Sequence, residues 1–250
     1  MNIYRFDHNV KIYNLGDLHR GQKNCDEDKL HKIISVIEED ENARWVSTGD
    51  ILETAIKSSK SSCYDAVSPE EELDLISEEL KPIRGKCLGF VASNHQNRVN
   101  KEVGLSLDKT LADRAKIPYL GIASIIKVVC GQCAYFIHLH HGVGGGSEGN
   151  KVNRAIKLAQ NALGCDVYLT GHTHTFSYVQ DIQTIIDRKR DKLTDIRTHH
   201  VCTGHYIVYK GSYAEDMGLK EKPRGSSIVE LFAANPGRES LKKVLVSFFG

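Results

Sequence analysis

Residues 10–20 read VKIYNLGDLHR, an apolar run that ends in a glycine followed by Asp17 and His19. Later apolar runs end in the same way, at Gly49-Asp50, Ser93-Asn94-His95, His141-Gly142 and Gly171-His172-Thr173-His174. Short apolar runs predict buried strands, and the carboxyl ends of the strands in an open α/β sheet meet at one crevice. The sequence therefore predicts a single cleft lined by aspartate, asparagine and histidine side chains.

Amphipathic helical patterns separate these runs, an alternation typical of βαβ units. The predicted strands are Val10–Leu15, Arg44–Thr48, Cys87–Ala92, Ala134–His140 and Val167–Thr170, and the predicted helices are Asp26–Asp40, residues 68–81, Leu105–Lys116 and Asn150–Leu163. After His174 the chain predicts strands only, at Phe176–Ile186, Ile196–Thr203, His205–Tyr209, Ser227–Phe232 and Lys242–Phe248. Residues 187–192 predict a hairpin tip, and we expect one domain over residues 1–250.

Composition excludes several classes of protein. The 250 residues carry 33 basic and 32 acidic side chains, a formal net charge of +1, so any nucleic-acid binding must come from a local patch or a bound metal. The N-terminus lacks the pattern of a secretory signal, and no apolar run is long enough to span a membrane. Seven scattered cysteines are not a disulfide framework, and Cys130-Gly131-Gln132-Cys133 predicts a hairpin turn with incidental thiols. We expect a cytoplasmic protein.

The predicted donor set narrows the choice of metal ion. Carboxylate, amide and imidazole groups without thiolate suit Mn, Fe or Zn, and they contain too much nitrogen for a calcium site. About seven donors exceed what one ion needs, which implies two ions that share a bridging carboxylate roughly 3.5–4 Å apart. Such a pair polarises a phosphoryl oxygen and lowers the pKa of a bound water. The sequence therefore predicts hydrolysis of a phosphate ester.

The five ordered motifs resemble those of the calcineurin-like metallophosphoesterase superfamily over about residues 10–175. The resemblance implies an α/β fold, an αββα sandwich of two mixed β-sheets flanked by helices. The Gly142–Gly149 loop and the helix after it are most similar to a small branch common in phage and prophage genomes.

The resemblance also implies roles for single residues. Asp17, His19 and His174 would hold the first ion, Asn94, His141 and His172 the second, and Asp50 would bridge them. His95 would be the general acid, and the two divalent ions would be Mn²⁺ first, with Fe or Zn as alternatives. His140 competes with His141 for the fourth motif, because alternation along the strand places them on opposite faces.

The third motif departs from the family pattern Gly-Asn-His-Asp/Glu, since it reads Ser93-Asn94-His95-Gln96. We expect the serine to tighten the turn that presents Asn94. We also expect His95 to lack an orienting carboxylate, which would slow turnover.

Other residues have two interpretations. Arg20 and Arg98 follow ligand motifs and are candidates to bind the substrate phosphate, or are ordinary surface arginines. The Gly142–Gly149 loop offers its amides to an anion, or is a flexible connection. His199, His200 and His205 are structural, or one of them lines the cleft.

Three functions follow from these residues. The preferred one is a phosphodiesterase or nuclease that acts on nucleotides or nucleic acid. The alternatives are a phosphomonoesterase for a phosphoprotein or small metabolite, and a non-catalytic metal-binding module of the same fold. The sequence leaves the oligomeric state open.

Overall fold

The computed structural model describes residues 1–57, 59, 62–144, 148–188, 190–234 and 242–250, without the side chains of residues 148–151. The strands are β1 (Ile3–Phe6), β2 (Val10–Asn14), β3 (Ala43–Ser47), β4 (Cys87–Phe90), β5 (Ala123–Cys130), β6 (Cys133–His140), β7 (Val167–Thr170), β8 (Ser177–Asp187), β9 (Lys192–Cys202), β10 (Ser226–Leu231) and β11 (Val244–Phe249). The helices are α1 (Glu27–Glu39), α2 (Pro69–Glu79), α3 (Gln96–Val103), α4 (Leu107–Ala115), α5 (Glu148–Ala159) and α6 (Tyr213–Asp216), with a 3₁₀ helix at Lys81–Lys86. Within these ranges no helix is long and apolar enough to cross a membrane.

The described strands form two sheets, in the orders β1-β5-β6-β7-β9-β8 and β11-β10-β2-β3-β4. Both sheets are mixed. In the first, β6, β7 and β9 are parallel, whereas β5 and β8 are antiparallel to their neighbours β6 and β9. In the second, β2, β3 and β4 are parallel and β10 is antiparallel to β2. The motifs identified in the sequence follow parallel strands of the two sheets, namely β2, β3, β4, β6 and β7.

A buried apolar layer joins the sheets, because each central strand points its alternate residues inward. Ile12 and Val46 from one sheet and Ile137, Leu169 and Val201 from the other belong to this layer, and all are 0% exposed. The helices cover the outer faces. The αββα sandwich expected from the sequence is therefore confirmed.

The outer faces show why the helices form where they do. Helix α1 is capped by Asp26, whose side chain accepts the N–H of Lys29, and buries Leu30, Ile33 and Ile37 against the sheet residue Trp45. On the other sheet, Ala159 packs on Tyr168. These contacts follow the helical spacing of apolar residues in the sequence.

The structure differs from the predicted strands and helices at several places. The strand predicted at His205–Tyr209 is wrong, because Tyr206 donates its N–H to the carbonyl of Asp17 and accepts the N–H of Asp26 instead of joining a sheet. Helix α3, which the sequence did not predict, begins directly after His95. Of the predicted glycine loop, residues 145–147 lie outside the described part of the chain, as does residue 189 of the hairpin tip.

Cys130 and Cys133 pair across the turn between β5 and β6, as predicted for a hairpin. Both side chains are buried, and burial raises the pKa of the Cys130 thiol to about 12. A thiol with so high a pKa is protonated and unreactive at neutral pH.

Glu72 is a buried carboxyl that holds the loop after Asp50. It lies on α2, is 0% exposed, and accepts the backbone N–H of Thr54 at 2.8 Å. Thr54 has a positive φ of 48°, a conformation that side-chain-bearing residues adopt only when other contacts hold it. Burial raises the pKa of Glu72 to about 8, so the carboxyl is mostly protonated at neutral pH.

We expect Glu72→Gln to change how stability depends on pH. The pKa of about 8 in the folded protein exceeds the ordinary value of 4.5, so the folded state holds an extra proton between these values. Stability should therefore fall as pH rises through this range, and the uncharged glutamine should flatten that decline. Urea unfolding of chelator-treated protein between pH 5 and 9 measures both slopes.

The exposed neighbour Glu71, substituted by glutamine, is the matched control on the same helix. Equal pH slopes for wild type and Glu72→Gln would contradict the assignment.

Candidate metal centre

The predicted donor residues lie on strand-end loops with unusual backbone conformations. Asp17 and His19 follow β2, Asp50 follows β3, and His172 and His174 follow β7. All five have positive φ angles, between 50° and 67°. Non-glycine residues seldom adopt this left-handed conformation, and such strain concentrates at functional sites. The loops therefore hold these side chains in place at a cost in backbone energy.

The first cluster consists of Asp17, His19 and His174, whose donor atoms lie within 4.8 Å of one another. His19 Nε2 is 3.1 Å from His174 Nε2, and Asp17 Oδ1 is 3.7 Å from the same His174 nitrogen. Asp17 is 0% and His19 1% exposed. Three donors from two strand ends therefore point at a common position.

The second cluster consists of Asp50, Asn94, His141 and His172. Asp50 Oδ2 is 3.2 Å from His141 Nε2, which also lies 3.2 Å from His172 Nδ1. Asn94 Oδ1 contacts His141 Nε2 and is 3.1 Å from His172 Nδ1. The donor atoms of its three charged or imidazole members lie within 4.8 Å of one another.

The structure brings His141, and not His140, to the cluster. His141 Nδ1 contacts the carbonyl oxygen of Thr48 at 2.7 Å, which directs Nε2 toward Asp50. His140 Nδ1 instead accepts the N–H of Gly142 at 2.8 Å, and its ring lies 6.2 Å from that of His138 on the other face of the strand. Strand alternation thus places His141 in the cluster and His140 on the opposite face of the strand.

The two clusters fit divalent cations electrostatically. Burial raises the pKa of Asp17, and the charge of Asp50 adds to this rise, because two carboxylates share one dry cleft. Burial lowers the pKa of His172 to about 4 and holds that of His174 well below its ordinary value, so both rings are neutral and present nitrogen lone pairs. A divalent cation in each cluster would offset the buried negative charge and accept those lone pairs.

Glu53 is a site residue that the sequence analysis missed. Its carboxylate is 0% exposed and lies 2.8 Å from His19 Nδ1, 3.5 Å from His95 Nδ1 and 3.6 Å from Arg98 Nη1. Burial alone would raise the pKa of Glu53, but hydrogen bonds to His19 and His95 outweigh it and lower the pKa. The sequence signal that could have identified Glu53 is its position three residues after Asp50 in the same loop.

His95 lies beside both clusters. Its Nδ1 is 2.9 Å from the Glu53 carbonyl oxygen, its Nε2 is 3.6 Å from Asp50 Oδ2, and its ring is 4.6 Å from that of His19. Burial would lower the pKa of His95, but the charges of Asp50 and Glu53 raise it overall. The expectation that His95 lacks a carboxylate partner is therefore wrong, since Glu53 takes the place of the acid absent at Gln96.

Ser93 lies in the turn that leads into α3, where both its backbone and its hydroxyl are hydrogen-bonded. Its N–H donates to Asp108 Oδ2 at 2.9 Å, and its Oγ accepts the N–H of Gln96 at 3.3 Å. The hydroxyl thus satisfies an unpaired amide in the first turn at α3, as capping residues do. Asn94 is presented from this capped turn.

The two candidate arginines have different surroundings. Arg98 donates from Nη2 to His95 Nε2 at 3.0 Å, and its side chain is 23% exposed at the cleft. Arg20 is 6% exposed and binds Glu79 at 2.9 Å and Glu27 at 2.6 Å. The assignment of Arg20 to substrate is therefore corrected, because its guanidinium is occupied by carboxylates of α1 and α2.

His205 is the one of the three late histidines that reaches the centre. Its ring stacks on that of His174, with centroids 4.8 Å apart and planes 13° from parallel, and the residue is 7% exposed. Its Nδ1 accepts the N–H of Ile207 at 3.1 Å, and burial lowers its pKa to about 3. His199 instead pairs with Tyr178, and His200 stacks on Tyr168.

The solved structures to which the chain is similar include phosphoesterases and phosphatases. They include a metallophosphoesterase from Sphaerobacter thermophilus (13% identity, TM-score 0.42, covering 96% of this chain and 89% of that one). A calcineurin-like phosphoesterase from Bacillus subtilis has 10% identity and a TM-score of 0.45, with 96% and 91% covered. A serine/threonine phosphatase from Saccharomyces cerevisiae has 11% identity and a TM-score of 0.41, with 100% and 83% covered.

No protein-family profile and no curated protein sequence matches the chain. At these identities and TM-scores, the function of the chain has to be inferred from its own site residues.

We expect His205→Gln to weaken metal binding at the first cluster by roughly 10-fold to 100-fold, the range seen when groups that orient a ligand are removed. Glutamine offers an acceptor for the Ile207 N–H but has no ring to hold His174 in place. His205→Phe keeps a flat ring and should bind metal within a few-fold of wild type. Calorimetric titration of chelator-stripped protein with Mn²⁺ measures both variants.

Thermal unfolding of the metal-free proteins controls for general destabilisation. Equal losses of affinity in the glutamine and phenylalanine variants would show that the ring stacking has no role.

Proposed function

We propose that this chain is a metal-dependent phosphoesterase of the calcineurin-like superfamily, and that it acts on phosphodiesters of nucleotides or nucleic acid. One observation carries the proposal. Seven donor side chains from five strand-end loops converge in two adjacent clusters, and a histidine paired with a buried carboxylate stands beside them. A structural site for one ion would need neither the second cluster nor that histidine.

Asp17, His19 and His174 would hold one ion and Asn94, His141 and His172 the other, with Asp50 between them. When bound, two such ions supply Lewis acids for phosphoryl oxygens and a water of lowered pKa. The oxygen and nitrogen donors suit Mn²⁺ first, with Fe or Zn as alternatives. The protein contributes a rigid arrangement of donors, since strained loops and buried hydrogen bonds fix each side chain.

His95 is proposed as the general acid. Glu53 orients its Nδ1, which leaves Nε2 to carry the proton that the leaving oxygen requires. A proton donor in this position contributes about 10²–10⁴-fold to the rate. Esters with an alkyl leaving group, such as the sugar oxygen of a nucleotide diester, benefit most from it, because that oxygen departs as an alkoxide that needs protonation.

Arg98 is proposed to bind the substrate phosphate. In the absence of substrate its guanidinium donates to His95 Nε2, the atom that must carry the proton. A phosphoryl oxygen competes for the same guanidinium as a charge-assisted acceptor, which frees Nε2 for proton transfer. Substrate binding and preparation of the general acid are thereby linked.

A phosphomonoesterase uses the same metal centre, so it is the second candidate. A binding module without turnover is the third, and the pairing of His95 with Glu53 argues against it because a module that only binds metal needs no such pair. Substrate preference separates the first two, and the absence of any hydrolysis identifies the third.

We expect the Mn²⁺-loaded protein to hydrolyse bis-p-nitrophenyl phosphate in preference to p-nitrophenyl phosphate. His95→Gln should lower kcat for a dinucleotide diester, whose sugar oxygen leaves as an alkoxide, about 10²–10⁴-fold, and should affect bis-p-nitrophenyl phosphate far less because its phenolate leaves without a proton. The variant should still bind metal, because the proton donor lies outside both clusters. Asp50→Asn should lower activity and metal binding together. Steady-state kinetics and metal analysis of each variant make the measurement.

His140→Asn is the matched control, because His140 adjoins His141 but lies on the opposite strand face, and asparagine can still accept the Gly142 N–H. Preference for the monoester would favour the phosphomonoesterase, and metal binding without hydrolysis of either ester would refute both enzymes.

A further inference from the structure

A shallow cavity of about 460 Å³ lies along helix α5, within the size range of small-ligand sites. It is lined by Asn153, Arg154, Ile156, Lys157 and Gln160. The lining therefore offers two cations, two side-chain amides and one aliphatic surface. Amide N–H groups and cations are donors suited to phosphate oxygens.

The two cations face the same side of the helix, because Arg154 and Lys157 are three residues apart. Within the described part of the chain, neither lies within ion-pair distance of a carboxylate, although other basic residues such as Arg20, Arg98 and Arg224 do. Arg154 is half-buried and Lys157 is exposed. Among the described side chains, none therefore neutralises the local positive charge of the cavity.

The cavity lies next to the loop that follows His141. Arg154 Nη1 lies so close to Gly144 that a Cβ on that glycine would be 2.1 Å from it, and Gly144 has a positive φ of 70°. Gly144 follows His141 by three residues, so their Cα atoms are at most about 11 Å apart. From Arg154 to Gln160 the lining extends about 9 Å along the helix.

We propose that this cavity is a second anion subsite, which binds a phosphate of a single-stranded nucleic acid while a neighbouring phosphodiester lies at the metal centre. The inference rests on the proposed function and specifies its substrate class. A near-neutral chain has no global field for nucleic acid, so a local patch of this kind is what nucleic-acid binding requires. A small phosphomonoester has no second phosphate to occupy the cavity.

The test compares Arg154→Gln/Lys157→Gln with a control that removes the same charge elsewhere, Lys32→Gln/Arg84→Gln, from exposed positions of α1 and the 3₁₀ helix. The first probe is a short fluorescent oligothymidylate, with binding followed by anisotropy in chelator over a series of salt concentrations. Two lost phosphate contacts should reduce the slope of log affinity against log salt by about 1.4, since each contact on a single strand contributes ~0.7. The control should keep the wild-type slope.

Kinetics with Mn²⁺ give a second readout. The α5 variant should show a KM for the oligonucleotide that is raised at least tenfold. Its kinetics on bis-p-nitrophenyl phosphate should match those of wild type, because this small diester cannot span both sites. Equal salt slopes and equal KM values for the α5 variant and the control would overturn the subsite.

The two proposals fail in different ways. If the wild-type protein hydrolyses bis-p-nitrophenyl phosphate but neither binds nor cleaves the oligonucleotide, the subsite is wrong and the phosphoesterase stands. If it hydrolyses no ester, the phosphoesterase is wrong, and the salt slope in chelator still decides whether α5 binds a nucleic-acid strand.

Discussion

Two carboxylates, Asp17 and Asp50, are buried in one cleft, and the rest of the site is arranged around the cost of keeping them there. Burial disfavours ionisation of each group, and the charge of Asp50 further raises the pKa of Asp17. At Asp50 the imidazoles of His141 and His95 outweigh burial and hold the pKa of that carboxyl well below its usual range. Divalent cations would also offset the buried negative charge, which makes the cleft a candidate metal site.

A surrounding layer of residues holds the donors in position. Glu53 binds His19 and His95, Glu72 binds the strained Thr54 backbone, and Asp108 binds the turn at Ser93. None of these acids belongs to either cluster, yet each fixes a loop that presents a cluster member or the proposed general acid, His95. Buried polar groups with satisfied hydrogen bonds make such loops rigid, which is what a preorganised site requires.

The fold and the main donors were predictable because their signals are local. Alternating apolar residues specify buried strands, and a polar residue directly after a strand must lie at the end of the sheet. Helix α1 was predictable from Leu30, Ile33 and Ile37 at helical spacing. The segment at His205–Tyr209 was predicted as a strand because its composition is strand-like, but its backbone groups pair with the loop after β2, a partner distant in sequence.

The sequence by itself determined the central strands and the polar residues that meet at one cleft, since strand periodicity and chain order fix which side chains reach one edge of a sheet. The two-sheet sandwich and the division of the donors between two ions were implied by the family resemblance. Only the tertiary structure decided that Glu53 supplies the carboxylate missing beside His95, that His205 stacks on His174, and that Arg20 binds Glu79 instead of substrate. These contacts join residues from different loops and helices. Their distances depend on how the sheets and helices pack, and no local pattern in the chain encodes that packing.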